Sequence, residues 1–343
     1  LFKREEENPY VDAWWEWWPE VRKTLSILRI TGGEPLLQQS TWKLFENISK
    51  YPLPDLEINT NSNLGMTNRI VKRLSKYVKE FEDENKIKRF KLFTSLDTWG
   101  SRAEYIRTGL DLKVWEENFH TYLTETSANI TFMMTFNILT VTTFKSLLKK
   151  ILEWREQYPD VTNGAGQLHR VRFDTPYLKE PLQYDMNLLP KNQFMHYMND
   201  SLQFLKDNVK EGDPTKFSDL EYWKFKRVVD YMQQTNYSKE RVLEGRIDFY
   251  NWFNELDRRR NTNFYNTFPE MKEFMDQCQS LAKAQSKSKN SYTNVRASVY
   301  YLGFTYMQNQ MEQYFHVVQQ HLYGMVKWVS LGLGLILTLQ HLI

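Results

Sequence analysis

The sequence predicts an α/β protein built on parallel strands, followed by a mostly helical C-terminal region. Three observations predict it. Five short apolar segments, residues 26–30, 56–60, 91–95, 130–136 and 171–173, have the length and composition of buried strands and end in polar or glycine-rich residues. Amphipathic helical patterns alternate with them. From about residue 179 to 285 the strand signals fade while the helical ones continue.

The elements follow in chain order. Residues 41–51 place Trp42, Leu44, Phe45 and Ile48 on one side of a helix, and residues 68–81 do the same with Ile70, Val71, Leu74 and Val78. Residues 112–123 align Trp115, Phe119, Tyr122 and Leu123; residues 144–154 align Leu147, Leu148, Ile151 and Leu152. Strand–helix alternation at this rhythm argues for right-handed βα units and a parallel sheet. Periodicity does not distinguish an open sheet from a barrel. Residues 221–234 and 241–260 read as helices, the second burying Phe249, Trp252, Phe253 and Leu256. "DRRRNTNF" (257–264) is polar and ends it. "TFPEMKEFMDQC" (267–278) reads as a capped helix start with Pro269 in the first turn, where a missing N–H is harmless. "AKAQSKSKNS" (282–291) reads as a linker. After it comes an apolar run, "WVSLGLGLILTL" (328–339), shorter than the roughly 20 residues of a spanning helix. A membrane anchor, a buried or aggregating tail and a foreign extension all remain open for it, and no function is assigned.

Composition narrows the function. The 343 residues suffice for one large domain with appendages or two ordinary ones. A net charge of +3 without a basic block disfavours nucleic acid. Four tryptophans crowd into "AWWEWWPE" (13–20); stacking on a ligand is one use for them, but packing against a core or partner segment is the favoured one. With one cysteine, Cys278, the chain builds no internal disulfide and no cysteine metal site. His120, His169, His196, His316, His321 and His341 show no metal-ligand spacing. No metal ligand is therefore assigned. The first residue is Leu and no secretory signal follows, so the chain reads as a piece of a longer protein, with the reducing cytoplasm as its default location.

The candidate site lies where the strands end. Thr31-Gly32-Gly33-Glu34 follows the first strand, Asn61-Ser62-Asn63 the second, Ser95 and Asp97 the third, Asn137 the fourth and Asp174 the fifth. In a parallel α/β sheet or barrel these positions share one rim, where ligands bind. Gly32 and Gly33 permit positive φ and close backbone approach. Glu34 would point into the rim as an acceptor for a cationic group, and Pro35 fixes the start of the next segment. On an extended segment Ser95 and Asp97 would face the same way, which suits a vicinal diol such as ribose. Singly, each has a bland reading as a turn former or helix cap; together, in this order, they favour a site.

The rim resembles that of radical S-adenosylmethionine (SAM) enzymes. "TGGEPLL" matches the family's Gly-Gly-Glu-Pro motif, "INTNSN" is similar to its third-strand segment, "TSLDTWGSRAEYIRTGLD" (94–111) to its fourth and "MTFNILT" (134–140) to its fifth. The match spans roughly residues 20–180. A softer likeness joins "ELDRRRNTNFYNTFPEMKEFMDQC" (255–278) to the twitch-type extension. The resemblance implies a partial (β/α)6 TIM-like barrel over residues 1–180 and a helical extension over 181–284; composition makes 285–343 a linker and apolar tail of doubtful origin. It implies SAM and a [4Fe–4S] cluster as cofactors, hydrogen abstraction by a 5′-deoxyadenosyl radical from a small-molecule or peptide substrate, and a reductant such as flavodoxin or ferredoxin. Gly32, Gly33 and Glu34 would hold the methionine end of SAM, and Ser95 and Asp97 its ribose, with Asn61 and Asn137 lining the cavity. Arg107 would meet the SAM carboxylate or pair on its helix surface.

One departure is serious. The family's cluster hangs on three cysteines in a Cys-x3-Cys-x2-Cys loop, because iron–sulfur clusters need thiolates. This chain has neither that loop nor a first strand before the tryptophans, so truncation upstream is the expected explanation and the chain alone is expected to be inactive. Two other readings stand beside it: a non-catalytic barrel that binds a nucleotide-like ligand or protein partner, and an unrelated hydrolase or isomerase using Glu34 and Asp97 as its acid pair, which no nucleophile–histidine arrangement supports.

Overall fold

A computed structural model describes residues 8–159, 169–289, 328–331 and 335–338. The tryptophan-rich segment forms helix α1 (Pro9–Val21), started by Asn8, whose side chain accepts the Tyr10 N–H at 3.0 Å. Trp14 and Trp18 are buried, and Trp18 Nε1 donates to Asn47 Oδ1 at 2.7 Å. The tryptophans therefore pack on the core.

Five parallel strands follow, in the spatial order of the sequence: β1 (Ile27–Ile30), β2 (Leu53–Ser62), β3 (Ile87–Thr94), β4 (Asn129–Met133) and β5 (Val171–Asp174). Between them run α2 (Gln39–Lys50), α3 (Asn68–Asp83), the short α4 (Ser101–Ile106), α5 (Leu112–Glu125) and α6 (Phe144–Gln157). A sequential parallel order with right-handed crossovers moves every connection in one direction and sets every helix on the same face. That is the winding of a partial (β/α) barrel, not of a doubly wound sheet. Burial agrees. The rows Leu28–Ile58–Phe90 and Ile30–Thr60–Leu92–Ile130–Val171 lie on the helix side and are 0–1% exposed. The opposite face alternates with them and is mostly half-buried.

After β5 the described chain is helical up to Lys289: α7 (Lys191–Asp207), α8 (Asp219–Gln234), α9 (Lys239–Arg260), the single turn α10 (Phe264–Thr267) and α11 (Lys272–Lys289). Helix α9 ends on Asn261 in the left-handed conformation. Pro269 opens a 3₁₀ turn (Pro269–Met271) that leads into α11. Helix α11 runs on through residues 282–289, where the sequence suggested a linker. Alanine, lysine and glutamine there are good helix formers and nothing breaks the turn. Residues 328–331 (β6) and 335–338 (β7) form an antiparallel pair, and no helix among the described residues is long and apolar enough to cross a membrane.

The helical part is not loosely tethered. Its aromatic residues belong to the same buried cluster as the sheet. Arg155 of α6, 1% exposed at its side chain, donates from Nε to the Val171 carbonyl of β5 and from Nη1 to the Lys216 carbonyl. Nη2 meets Glu221 Oε1 at 2.6 Å. Glu221 is also the third residue of α8 and closes its capping box with Ser218. One guanidinium thus joins the last strand to the first turn of α8. Arg155→Ala leaves the Glu221 carboxylate buried without its cation, and we expect it to lower unfolding free energy by about 3–5 kcal/mol. The double variant Arg155→Met/Glu221→Leu should recover much of that loss. Denaturant unfolding checks both; a single variant as stable as wild type would remove this pair from the stability account.

Candidate functional site

The first rim loop follows β1. Gly32 and Gly33 adopt φ of 97° and 54°, a region L side chains rarely enter. Around Gly33 there is space for a Cβ, so the demand there is on the backbone and not on room. Glu34 then caps the 3₁₀ turn Pro35–Leu37: Oε1 accepts the Leu36 N–H at 3.3 Å, with Pro35 buried at the turn's start. Oε2 accepts the Asn63 N–H at 2.8 Å, and the Ser62 hydroxyl donates to the same carboxylate. The loops after β1 and β2 therefore meet on one carboxylate. Burial pushes the Glu34 carboxyl up, and its three donors offset that only in part. No basic side chain among the described residues forms an ion pair with it.

The second loop is held from below. Leu64, directly after Asn63, has φ 53° although it carries a side chain. Asn118 of α5, fully buried, donates to the carbonyls of Leu64 at 2.8 Å and Met66 at 2.7 Å. Asn118 is a positioning residue for the rim that hydrophobic periodicity hid, because it sits in the apolar stripe of its helix.

At the third strand, Ser95 and Asp97 have different environments. Ser95 is half-buried. Asp97 is 2% exposed: Arg107 Nε lies 2.7 Å from Oδ2, Arg107 Nη2 donates to Oδ1 at 3.0 Å, and the Thr135 N–H donates to Oδ1 at 2.7 Å. Burial pushes this carboxyl up while Arg107 and Thr135 pull against it. Arg107, at the C-cap of α4, thus pairs with Asp97, and the pair ties the ends of β3, α4 and β4 together. Asn137 is likewise engaged within its loop: Nδ2 donates to the Thr135 carbonyl at 2.9 Å and Oδ1 accepts the Leu139 N–H at 3.0 Å. Asn61 differs, for its Oδ1 is buried without a hydrogen-bond partner among the described residues. Asn59, two residues earlier on the same face, leaves its Oδ1 unpartnered in the same way.

The helical extension grips this rim. Arg102 of α4 donates to the Thr267 carbonyl at 3.0 Å and to Glu270 at 2.8 Å, and Thr142 donates to Glu270 at 2.6 Å. Tyr105 stacks on Phe253 and meets Phe264 and Phe268 edge-on. An open cleft of about 290 Å³, lined by Tyr237, Val242, Leu243, Arg246 and Leu281 among others, lies within the extension and shares no residue with the rim.

The donor sets suit the two expected cofactors unequally. An ionised carboxylate has about four lone-pair positions, and Glu34 uses three, so one acceptor remains for an ammonium group. With the buried, unpartnered Asn61 carbonyl beside the same strand end, the rim fits the amino-acid end of SAM. A [4Fe–4S] cluster does not fit. Among the described residues no group of three or more His, Cys, Asp or Glu side chains can hold a metal. Cys278 is buried in α11 with its thiol pushed up to about 12 by burial, so it is not a thiolate.

No protein-family model matches the chain, and no curated protein matches it. Among solved structures it is similar to native anSMEcpe with bound AdoMet and Kp18Cys peptide, at 13% identity and a TM-score of 0.36, over 53% of this chain and 46% of that one. It is also similar to native anSMEcpe with bound AdoMet, at 13% identity and a TM-score of 0.37, over 55% and 48%. The chain spans about half the length of these structures.

The Asp97–Arg107 pair makes a measurable difference to the rim. Asp97→Asn removes the ion pair but keeps an acceptor for the Thr135 N–H; Asp97→Ala removes both. We expect a loss of about 2 kcal/mol for the first, since Arg107 retains partial exposure, and a larger loss for the second. Urea midpoints give the order, and equal stability of the two variants would contradict the role given to Thr135.

Proposed function

We propose that the rim at the ends of β1, β2 and β3 binds S-adenosylmethionine, as the SAM-holding part of a twitch-type radical SAM core. One observation carries this reading: Glu34 is held by the N–H groups of Asn63 and Leu36, beside two left-handed glycines, with no cation among the described residues paired to it. A fixed carboxylate with a free lone pair is an ammonium acceptor. Gly32 and Gly33 let the methionine moiety approach the backbone, and Pro35 sets the turn that aims Glu34. Asn61 offers its spare carbonyl and Ser95 a hydroxyl. Asp97, Arg107 and Asn137 hold the loops that form the wall.

With a [4Fe–4S] cluster, SAM supplies a 5′-deoxyadenosyl radical in enzymes of this kind. The described residues hold no thiolate for such a cluster, so binding is the activity proposed for them. Hydrogen abstraction from a peptide or small molecule, fed by flavodoxin or ferredoxin, would need cysteine ligands from outside the described residues. A second reading, a non-catalytic barrel for a nucleotide-like ligand, draws on that lack of thiolates. The ligand's charge separates the two: Glu34 attracts a cation and repels a phosphate.

Calorimetric titration with SAM, and with ATP in parallel, tests the reading. SAM should bind and ATP should not. Glu34→Gln should weaken SAM binding at least tenfold, about 1.4 kcal/mol. Tight ATP binding with no SAM binding would overturn the proposal in favour of the second reading.

The pH dependence has a definite sign. In the free protein the Glu34 pKa is raised by burial, so its contribution to stability is largest below the ordinary carboxylate range and is lost as pH rises through the raised value. A bound ammonium needs the ionised form. SAM affinity should therefore fall as pH drops through the raised pKa, with proton release on binding. Glu34→Gln should show neither effect.

A further inference from the structure

The face of the sheet opposite the crossover helices α2–α6 lies below this rim and is built unlike the face under them. Register defines its rows. The lowest is Ile27–Glu57–Arg89 and the next Arg29–Asn59–Lys91–Asn129. The third is Asn61–Phe93–Thr131–Arg172, and Met133 and Asp174 stand beside each other above it. In a parallel pair, residues in register point to the same side. Seven of these residues are uncharged polar or aromatic groups or Met and Ile, and the rest are charged: four cations against two carboxylates.

The carboxylates are already committed. Glu57 accepts from Lys91 Nζ at 2.7 Å, lies 2.9 Å from Arg89 Nε, and takes the Asn59 amide N–H at 3.1 Å. Burial works against its ionisation, yet these partners hold its carboxyl below the usual range. Asp174 lies 3.3 Å from Lys224 of α8. The Glu57–Arg89–Lys91 trio therefore keeps one positive charge in excess. Arg29 has no carboxylate among the described residues; its guanidinium sits 5.2 Å from the Phe93 ring centroid. Between these cations, Asn59 and Asn61 each present a buried carbonyl oxygen with no donor among the described residues. Unpaired buried acceptors are uncommon in a finished interior and call for a donor from a ligand or water.

We propose that this face is the floor on which an acidic peptide lies, its carboxylate taken by Arg29 and the positive excess of Lys91, and its amide N–H groups donated to Asn59 and Asn61. The assignment of the floor to a substrate rests on the rim reading above, because the floor leads directly to Glu34 and Ser95. The chemistry fits a peptide better than a fully deprotonated anion such as sulfate, which has no donor for two carbonyl oxygens. Partial exposure of Lys91 and Arg89, 24% and 28% at their side chains, leaves the charges accessible while limiting their solvation.

The test uses the full chain and two capped tripeptides, acetyl-Gly-Glu-Gly-amide and its Gln counterpart, titrated at low and high salt without SAM. We expect the Glu peptide to bind at least tenfold more tightly at low salt, with the preference shrinking as salt rises. The preference should vanish in Arg29→Gln and be partly kept in Arg29→Lys, both checked for folding by circular dichroism. Equal binding of the two peptides, or an unchanged preference in Arg29→Gln, overturns the proposal. So does inorganic sulfate that competes as well as the Glu peptide does, which would make the floor a general anion surface. A parallel SAM titration separates the two readings: SAM binding without peptide preference sinks only the floor, and peptide preference without SAM binding sinks the rim.

Discussion

One constraint governs this molecule: the five parallel strands lie side by side in the order in which they are made. Each right-handed crossover then steps the same way, each crossover helix falls on the same face, and the C-terminal ends of these five strands reach the same rim. The two faces of the sheet consequently differ in kind. One is a dry apolar layer carrying Leu28, Ile30, Ile58, Leu92, Ile130 and Phe132. The other carries none of the crossover helices α2–α6, is mostly half-buried, and can be polar without leaving groups stranded in a core. Site and floor both follow from that asymmetry.

The rim is stiffened by polar groups bonding across loops. Glu34 joins the first loop to the second, Asn118 holds the second from the helix layer, and Asp97 with Arg107 joins the third to the fourth. Each of these side chains is buried or half-buried, where its hydrogen bonds are electrostatically stronger than in water. The helical extension adds an outer clamp through Arg102, Glu270 and the aromatic residues around Tyr105, and an inner one through Arg155 and Glu221. Loops that would otherwise be free surface segments are thereby fixed in one arrangement, which is what a binding site needs if ligand affinity is not to be spent on ordering it.

Much of this was legible in the residue order. Strand positions followed from short apolar runs ending in polar or glycine-rich residues and helix positions from period-3.6 patterns, and each of the five expected strands has an observed counterpart shifted by a few residues at most. The longest shifts are at the starts of β2 and β3, where charged residues such as Asp55, Lys88 and Arg89 extend the strands. Their polarity disguised them as loop, because buried parallel strands ordinarily read as continuous apolar runs. The tryptophan cluster was correctly weighed as core. The helix across residues 282–289 was hidden by serine and lysine content that reads as linker yet carries no helix breaker.

The sequence by itself determined the α/β class, the five strand ends and the types of side chain gathered there, because periodicity and turn residues are local properties. Tertiary structure alone decided how those side chains are engaged. Glu34 and Asp97 look alike in sequence as single acids after a strand, but among the described residues one has no paired cation while the other is closed by Arg107 and the Thr135 N–H. Arg155 and Glu221, 66 residues apart, carry no mark that they meet. The physical reason is common to both cases. The state of a charged group depends on burial and on partners brought by distant segments, and neither exists until the chain has folded.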